Sequence, residues 1–189
     1  DAIIVSDYNY GAVFPEIFED ARAIAERRQI PLIVDSRFRL TELSNATTAT
    51  PNREEVEQIL GQNFTAGDCS DLRSRLGLEA LLVTNGNQGM LLCEKDKPPV
   101  RIDVVGSTEP VDVTGAGDTV IAAYALGLAS GLSFADAANI ANHAGGLVVM
   151  KKGTASITSD ELLESLRAAE SPESSSKTVY LLWVTTLLQ

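Results

Sequence analysis

The sequence predicts a three-layer α/β/α domain with a mostly parallel sheet, and three observations predict it. Short β-branched runs alternate with segments of helical spacing through the first half of the chain. Leu81-Leu82-Val83 is apolar at consecutive positions, as in a strand buried on both faces. Two Ala-rich, small-faced helical segments then dominate the second half. Strands separated by helices require crossover connections, and crossovers make parallel neighbours.

In chain order, residues 3–6 read as a strand. Residues 14–28 read as a helix, from the spacing of Ile17, Ala21, Ile24 and Ala25. Pro31 restarts the chain into a buried strand over 32–35. Pro51-Asn52 opens a helix with Val56, Ile59 and Leu60 on one face and Gly61 as its stop. Another helix is expected over 68–76, closed by Gly77, before the central strand 80–84. Residues 85–89 read as a hairpin-type turn into a strand over 90–94, with one more strand over 100–105. Helices over 117–129 and 133–149 are separated by Gly131, and Ser133 with Asp136 forms a capping pattern. Thr158 and Glu161 cap a last helix reaching 169. The domain is therefore expected over 1–169. Residues 170–177 form a polar linker by composition, and 178–189 an apolar tail, either paired on a sheet edge or exposed. The chain opens within an apolar run without an initiator Met, which is expected of a fragment or processed piece.

Composition excludes several classes. Fifteen basic against 26 acidic residues give a net charge of −11, and such a surface repels nucleic acid and anionic membrane. No apolar run approaches the roughly 18 residues of a membrane span. Cys69 and Cys93 lie outside any CxxC or metal-spaced cluster, which suits a reduced, cytoplasmic compartment. The single histidine, His143, cannot build a multi-histidine metal site and reads as a packing or surface residue.

The chemistry concentrates in Asp112-Val113-Thr114-Gly115-Ala116-Gly117-Asp118, which runs straight into an Ala-rich helix. Small residues let the backbone approach a ligand closely, and the first helical turn leaves N–H groups unpaired. With the positive end of the helix dipole they suit a terminal phosphate. Asp118, in that same turn, could take a proton from a substrate hydroxyl as phosphate transfers, or could simply cap the helix. The turn lacks the third small residue and following acidic strand end of a dinucleotide fingerprint, and no GxxxxGK[ST] occurs.

This heptapeptide resembles the signature of the PfkB family of ribokinase-like carbohydrate kinases. The resemblance implies ATP-dependent phosphoryl transfer to a sugar or sugar-phosphate hydroxyl. Asp118 would be the catalytic base, and Gly115, Ala116 and Gly117 would supply the anion hole. Thr50-Pro51-Asn52-Arg53-Glu54-Glu55 is similar to the family's N-x-x-E motif, so Asn52 and Glu55 would organise phosphates and Mg2+. By chemistry alone they are an N-cap and a first-turn acid. Val83 to Gly89 resembles the strand-end turn under the ATP ribose and phosphates, which implicates Thr84, Gly86 and Gly89. Residues 139–153 resemble the helix flanking the adenine pocket, with Asn142 the expected contact. Asp112 stands where the family often has a monovalent-cation loop, and its oxygens suit K+.

Within the family, Ser6-Asp7-Tyr8, the 30–35 strand, Thr50-Pro51-Asn52 and residues 141–155 look most like the heptose 7-phosphate kinase branch of lipopolysaccharide precursor synthesis. The resemblance covers the second half of such a kinase domain, without the family's sugar site and lid. Tyr10 replaces that branch's usual Lys, and Arg37 could take over a phosphate contact within Ser36-Arg37-Phe38-Arg39. The tail shows no nucleotidyltransferase His motif. The expected partner is a small-molecule sugar or sugar phosphate, and a homodimer is compatible with all of this. Two alternatives stay open: another PfkB kinase acting on a sugar or nucleoside, and a non-catalytic nucleotide-binding fragment lacking the sugar site.

Overall fold

A computed structural model describes residues 1–106 and 109–169; the expected linker and tail lie outside the described residues. The elements run β1 (Ile3–Asp7), α1 (Pro15–Arg28), β2 (Leu32–Ser36), β3 (Thr48–Ala49), α2 (Arg53–Leu60), α3 (Ala66–Arg75), β4 (Ala80–Thr84), β5 (Met90–Glu94) and β6 (Val100–Ile102). Three helices follow: α4 (Ala116–Ala129), α5 (Phe134–Val148) and α6 (Ser159–Ala168). Among the described residues no helix is long and apolar enough to cross a membrane.

The six strands lie in sequence order, with β1 to β4 parallel and β5 and β6 added as antiparallel hairpins. Strand periodicity divides the core in two. Leu32, Val34, Leu81 and Val83 face α1, α2 and α3, whereas Ile33, Ala80 and Leu82 face α4, α5 and α6. The two outer layers thus come from the two halves of the chain, and the expected three-layer fold with a mostly parallel sheet is what forms.

Local differences have local causes. β3 escapes a periodicity reading because it is two residues long, yet both are fully buried between β2 and β4. α3 begins two residues before the expected start because Thr65 is the cap. Thr65 accepts from the Asp68 amide, and the Asp68 carboxylate accepts from the Thr65 amide at 2.7 Å. β6 stops at Ile102, and the chain beyond it turns to lie against α5. A Cβ on Gly146 would sit 2.3 Å from the Val105 carbonyl. The same economy of bulk joins α4 to α5, where a Cβ on Gly127 would stand 2.9 Å from Ala137 Cβ.

Candidate active site

The C-terminal ends of β1, β2 and β4 and the N-terminus of α4 surround one cleft of about 410 Å³. This is where open α/β sheets bind ligands. A smaller, mainly apolar cavity of about 160 Å³ adjoins it, sharing Thr84, Val113, Gly117 and Val120.

Gly115 is the N-cap of α4 in the left-handed region (φ 77°), which a side chain rarely adopts. Among the described residues no side chain caps this helix. The Ala116 amide turns back to the Val113 carbonyl at 3.2 Å, and Thr119 begins the regular ladder to Gly115. Gly115, Gly117 and Asp118 line the larger cleft, and Ala116 lines the smaller cavity. A Cβ added to Gly117 would meet nothing within 4 Å, so its missing side chain leaves the open space beside Asp118.

Across the cleft, Thr84 N–H donates to the Pro51 carbonyl at 3.0 Å, and Asn52 bridges to Thr84. This fixes the start of α2 beside the end of β4. Asn52 and Glu55 form a reciprocal capping box. The Asn52 side chain accepts from the Glu55 amide (2.9 Å), and the two Glu55 oxygens accept from Asn52 N and Nδ2 (2.9 and 2.8 Å). Burial pushes the Glu55 carboxyl up to about 7. Asp35, at the end of β2 on the same cleft, is raised to about 6, by burial first and the Asp118 charge second.

Thr84, Gly86 and Gly89 line the smaller cavity with Asn142. A Cβ on Gly89 would lie 2.1 Å from the Ile102 carbonyl, so the turn presses directly on the end of β6. Asn142 is buried, and its Nδ2 donates to the Asp103 carbonyl at 2.7 Å. Asp112 reaches neither space. Its carboxylate accepts from Thr114 N (2.9 Å) and Gly153 N (3.0 Å), tying the approach to α4 to the loop after α5. His143 is buried, with Nδ1 2.8 Å from Ser165 Oγ, which joins α5 to α6.

Among the cleft residues that sequence reasoning gave no site role are Asp35 and Tyr8. Asp35 looked like a strand end. Tyr8, directly after β1, donates from its hydroxyl to Asp118 Oδ1 at 2.7 Å. Nothing in the local pattern foretells that Tyr8 meets a carboxylate 110 residues away, or that Asp35 shares a cleft with the same group.

Comparison with known proteins identifies the family and the fold. Residues 2–161 match the pfkB family of carbohydrate kinases. The bifunctional protein HldE of Trichlorobacter lovleyi is 38% identical over 183 residues, covering 94% of this chain and 37% of that protein. HldE of Nitrosococcus oceani is 40% identical over 171 residues, covering 87% and 35%. The chain thus spans little more than a third of the length of these relatives. The fold is similar to Arabidopsis thaliana ribokinase complexed with ribose and ATP (TM-score 0.75, 22% identity, 87% of this chain and 55% of that one). It is also similar to Escherichia coli phosphofructokinase-2 in complex with potassium (TM-score 0.74, 20% identity, 86% and 55%).

Proposed function

Because the chain belongs to the pfkB family of carbohydrate kinases, we propose that it carries the nucleotide and phosphoryl-transfer part of an ATP-dependent kinase acting on a sugar or sugar-phosphate hydroxyl. The observation that carries this reading is Asp118 in the first turn of an uncapped helix, facing a cleft that continues into an apolar cavity. Asp118 takes the acceptor proton as the acceptor oxygen bonds the γ-phosphorus. The bond to the β-phosphate oxygen breaks, and ADP leaves. Backbone amides around Gly115, Ala116 and Gly117 receive the developing negative charge. The apolar walls between Thr84, Gly86, Gly89 and Asn142 suit a base and ribose.

The cleft suits Mg2+ by its donor chemistry. Glu55 and Asp35 are carboxylates that burial keeps reluctant to ionise, and a dication would relieve that cost. Among the described residues no three acidic, Cys or His side chains converge as a metal cage. That fits an ion bound through water and phosphate oxygens, with Asn52 and Glu55 holding its shell. Magnesium when bound neutralises phosphate charge. For K+, Asp112 would act by ordering the backbone at Thr114 and Gly153, from whose amides its carboxylate accepts.

The identity of the relatives as HldE, with the Ser6-Asp7-Tyr8 and Thr50-Pro51-Asn52 segments, supports heptose 7-phosphate as acceptor and a cytoplasmic setting for its use. The test is turnover of MgATP by the full-length gene product against heptose 7-phosphate, fructose 6-phosphate, ribose and adenosine. Heptose 7-phosphate should be consumed fastest, and Asp118→Asn should cost about 10²–10⁴-fold in kcat. Turnover of none of the four sinks the kinase reading.

A further inference from the structure

The Tyr8 hydroxyl and the Asp118 carboxylate meet between two elements that share no backbone pairing. Tyr8 follows β1, and Asp118 stands in the first turn of α4. Tyr8 is held from its own side. The neighbouring Asp7 is buried, and its carboxylate accepts from Asn9 N (2.9 Å) and Ser36 Oγ (3.1 Å). Its carbonyl accepts from Arg37 N at 3.1 Å, and Asn9 turns the chain through the left-handed region (φ 60°). The backbone that delivers the Tyr8 ring is therefore pinned to β2. At the other end the carboxylate of Asp118 is free to rotate about its last side-chain bond unless something holds one oxygen. A phenol donating at 2.7 Å to a carboxylate is a charge-assisted bond, short and directional.

We propose that Tyr8 is a positioning residue for Asp118: by holding Oδ1, its hydroxyl leaves Oδ2 as the oxygen presented to the acceptor hydroxyl. This rests on the reading of Asp118 as the base. Tyr8 itself stays protonated through the reaction. The same hydrogen bond lifts the phenol above its ordinary range, so it donates to the base without competing as one. Tyr8 is 44% exposed, so losing its hydroxyl leaves no buried polar group unpaired at this end of the contact.

Two measurements test this. In the chain itself, labelled with 13C at tyrosine Cζ, Asp118→Asn should move the Tyr8 resonance and leave that of exposed Tyr10 in place. An unmoved Tyr8 resonance overturns the contact. In the full-length gene product, Tyr8→Phe should lower kcat by about 10- to 100-fold, the loss expected for a hydrogen bond to a charged group. MgATP affinity by calorimetry and the melting temperature should stay unchanged. In an Asp118→Asn background the same Tyr8→Phe change should cost nothing further, because the group it aligns is gone. An unchanged kcat in the single variant, or an equal loss in both backgrounds, overturns the positioning role and leaves the base assignment standing. Full turnover by Asp118→Asn overturns both.

Discussion

Asn52 and Glu55 hold each other from both ends, each giving and receiving hydrogen bonds at 2.8–2.9 Å, while Glu55 is buried in the cleft wall. One pair therefore starts α2 and faces the proposed phosphate site, so its two roles need separating. Asn52→Ser keeps a cap acceptor but removes the amide donor. It should leave thermal stability nearly unchanged and weaken MgATP binding. Asn52→Ala removes both and should also cost about 1 kcal/mol of stability. Calorimetry and thermal melts distinguish the two variants, and equal binding by wild type and Asn52→Ser sinks the phosphate role.

The raised carboxyls predict a pH dependence with a definite sign. Glu55 lies at about 7 and Asp35 at about 6 in the fold, above the ordinary values of 4.5 and 3.8. Both groups bind protons more readily folded than unfolded. Their contribution to stability is thus fully present below about pH 4 and is lost as pH rises through 6 and 7. MgATP, which favours the ionised forms, should bind more tightly over that same rise. The measurement is melting temperature against pH, with and without saturating MgATP. A double variant, Asp35→Asn with Glu55→Gln, should flatten the unliganded curve between pH 5 and 8. An equally steep curve in the double variant assigns the dependence to other groups.

Two glycines of the α4 turn should fail differently. Gly115 has a left-handed backbone, so Gly115→Ala strains the turn and should cost about 1–2 kcal/mol as well as function. Gly117 is helical, and its new Cβ would enter open cleft space. Gly117→Ala should therefore melt at or slightly above the wild-type temperature, since Ala is the better helix former by about 1 kcal/mol. It should nonetheless lose nucleotide affinity, because the methyl group occupies the space beside Asp118. Unimpaired MgATP binding by Gly117→Ala argues against phosphate at this turn.

Those contrasts show what was legible in the sequence. The layers, the parallel core and the α4 turn could be read because they repeat with helical or strand period, or carry a glycine pattern with one backbone solution. Asn52 and Glu55 were legible as a cap because both partners lie within one helical turn. Tyr8 and Asp35 were not, since their meaning comes from the Asp118 carboxylate on a different element. β3 was hidden for a related reason: two residues are too few for a period, and only flanking strands reveal them. Asp112 shows the converse. It was picked because it stands where the family often has a monovalent-cation loop; its carboxylate accepts from two backbone amides and lines neither cavity.

The packing of α4 on α5 gives a last prediction, linking core to site. A Cβ on Gly127 would stand 2.9 Å from Ala137 Cβ and 3.0 Å from Ala137 Cα, a rigid methyl and backbone that cannot rotate away. Gly127→Ala must push the helices apart, and overpacking of this kind costs about 1–3 kcal/mol, beyond any gain in helix propensity. Separation carries the N-terminal turn of α4 with it, because Val120 packs against Gly145 on the same helix pair. Turnover in the full-length gene product should therefore fall along with melting temperature, although Gly127 touches neither cavity. Ala137→Gly removes the opposing methyl and should restore part of both losses when combined with Gly127→Ala. That rescue is a coupling only residues in contact can show. Independent, additive losses in the double variant would mean that the helices already have slack at this crossing, and that the small residues along α4 serve some purpose other than close approach.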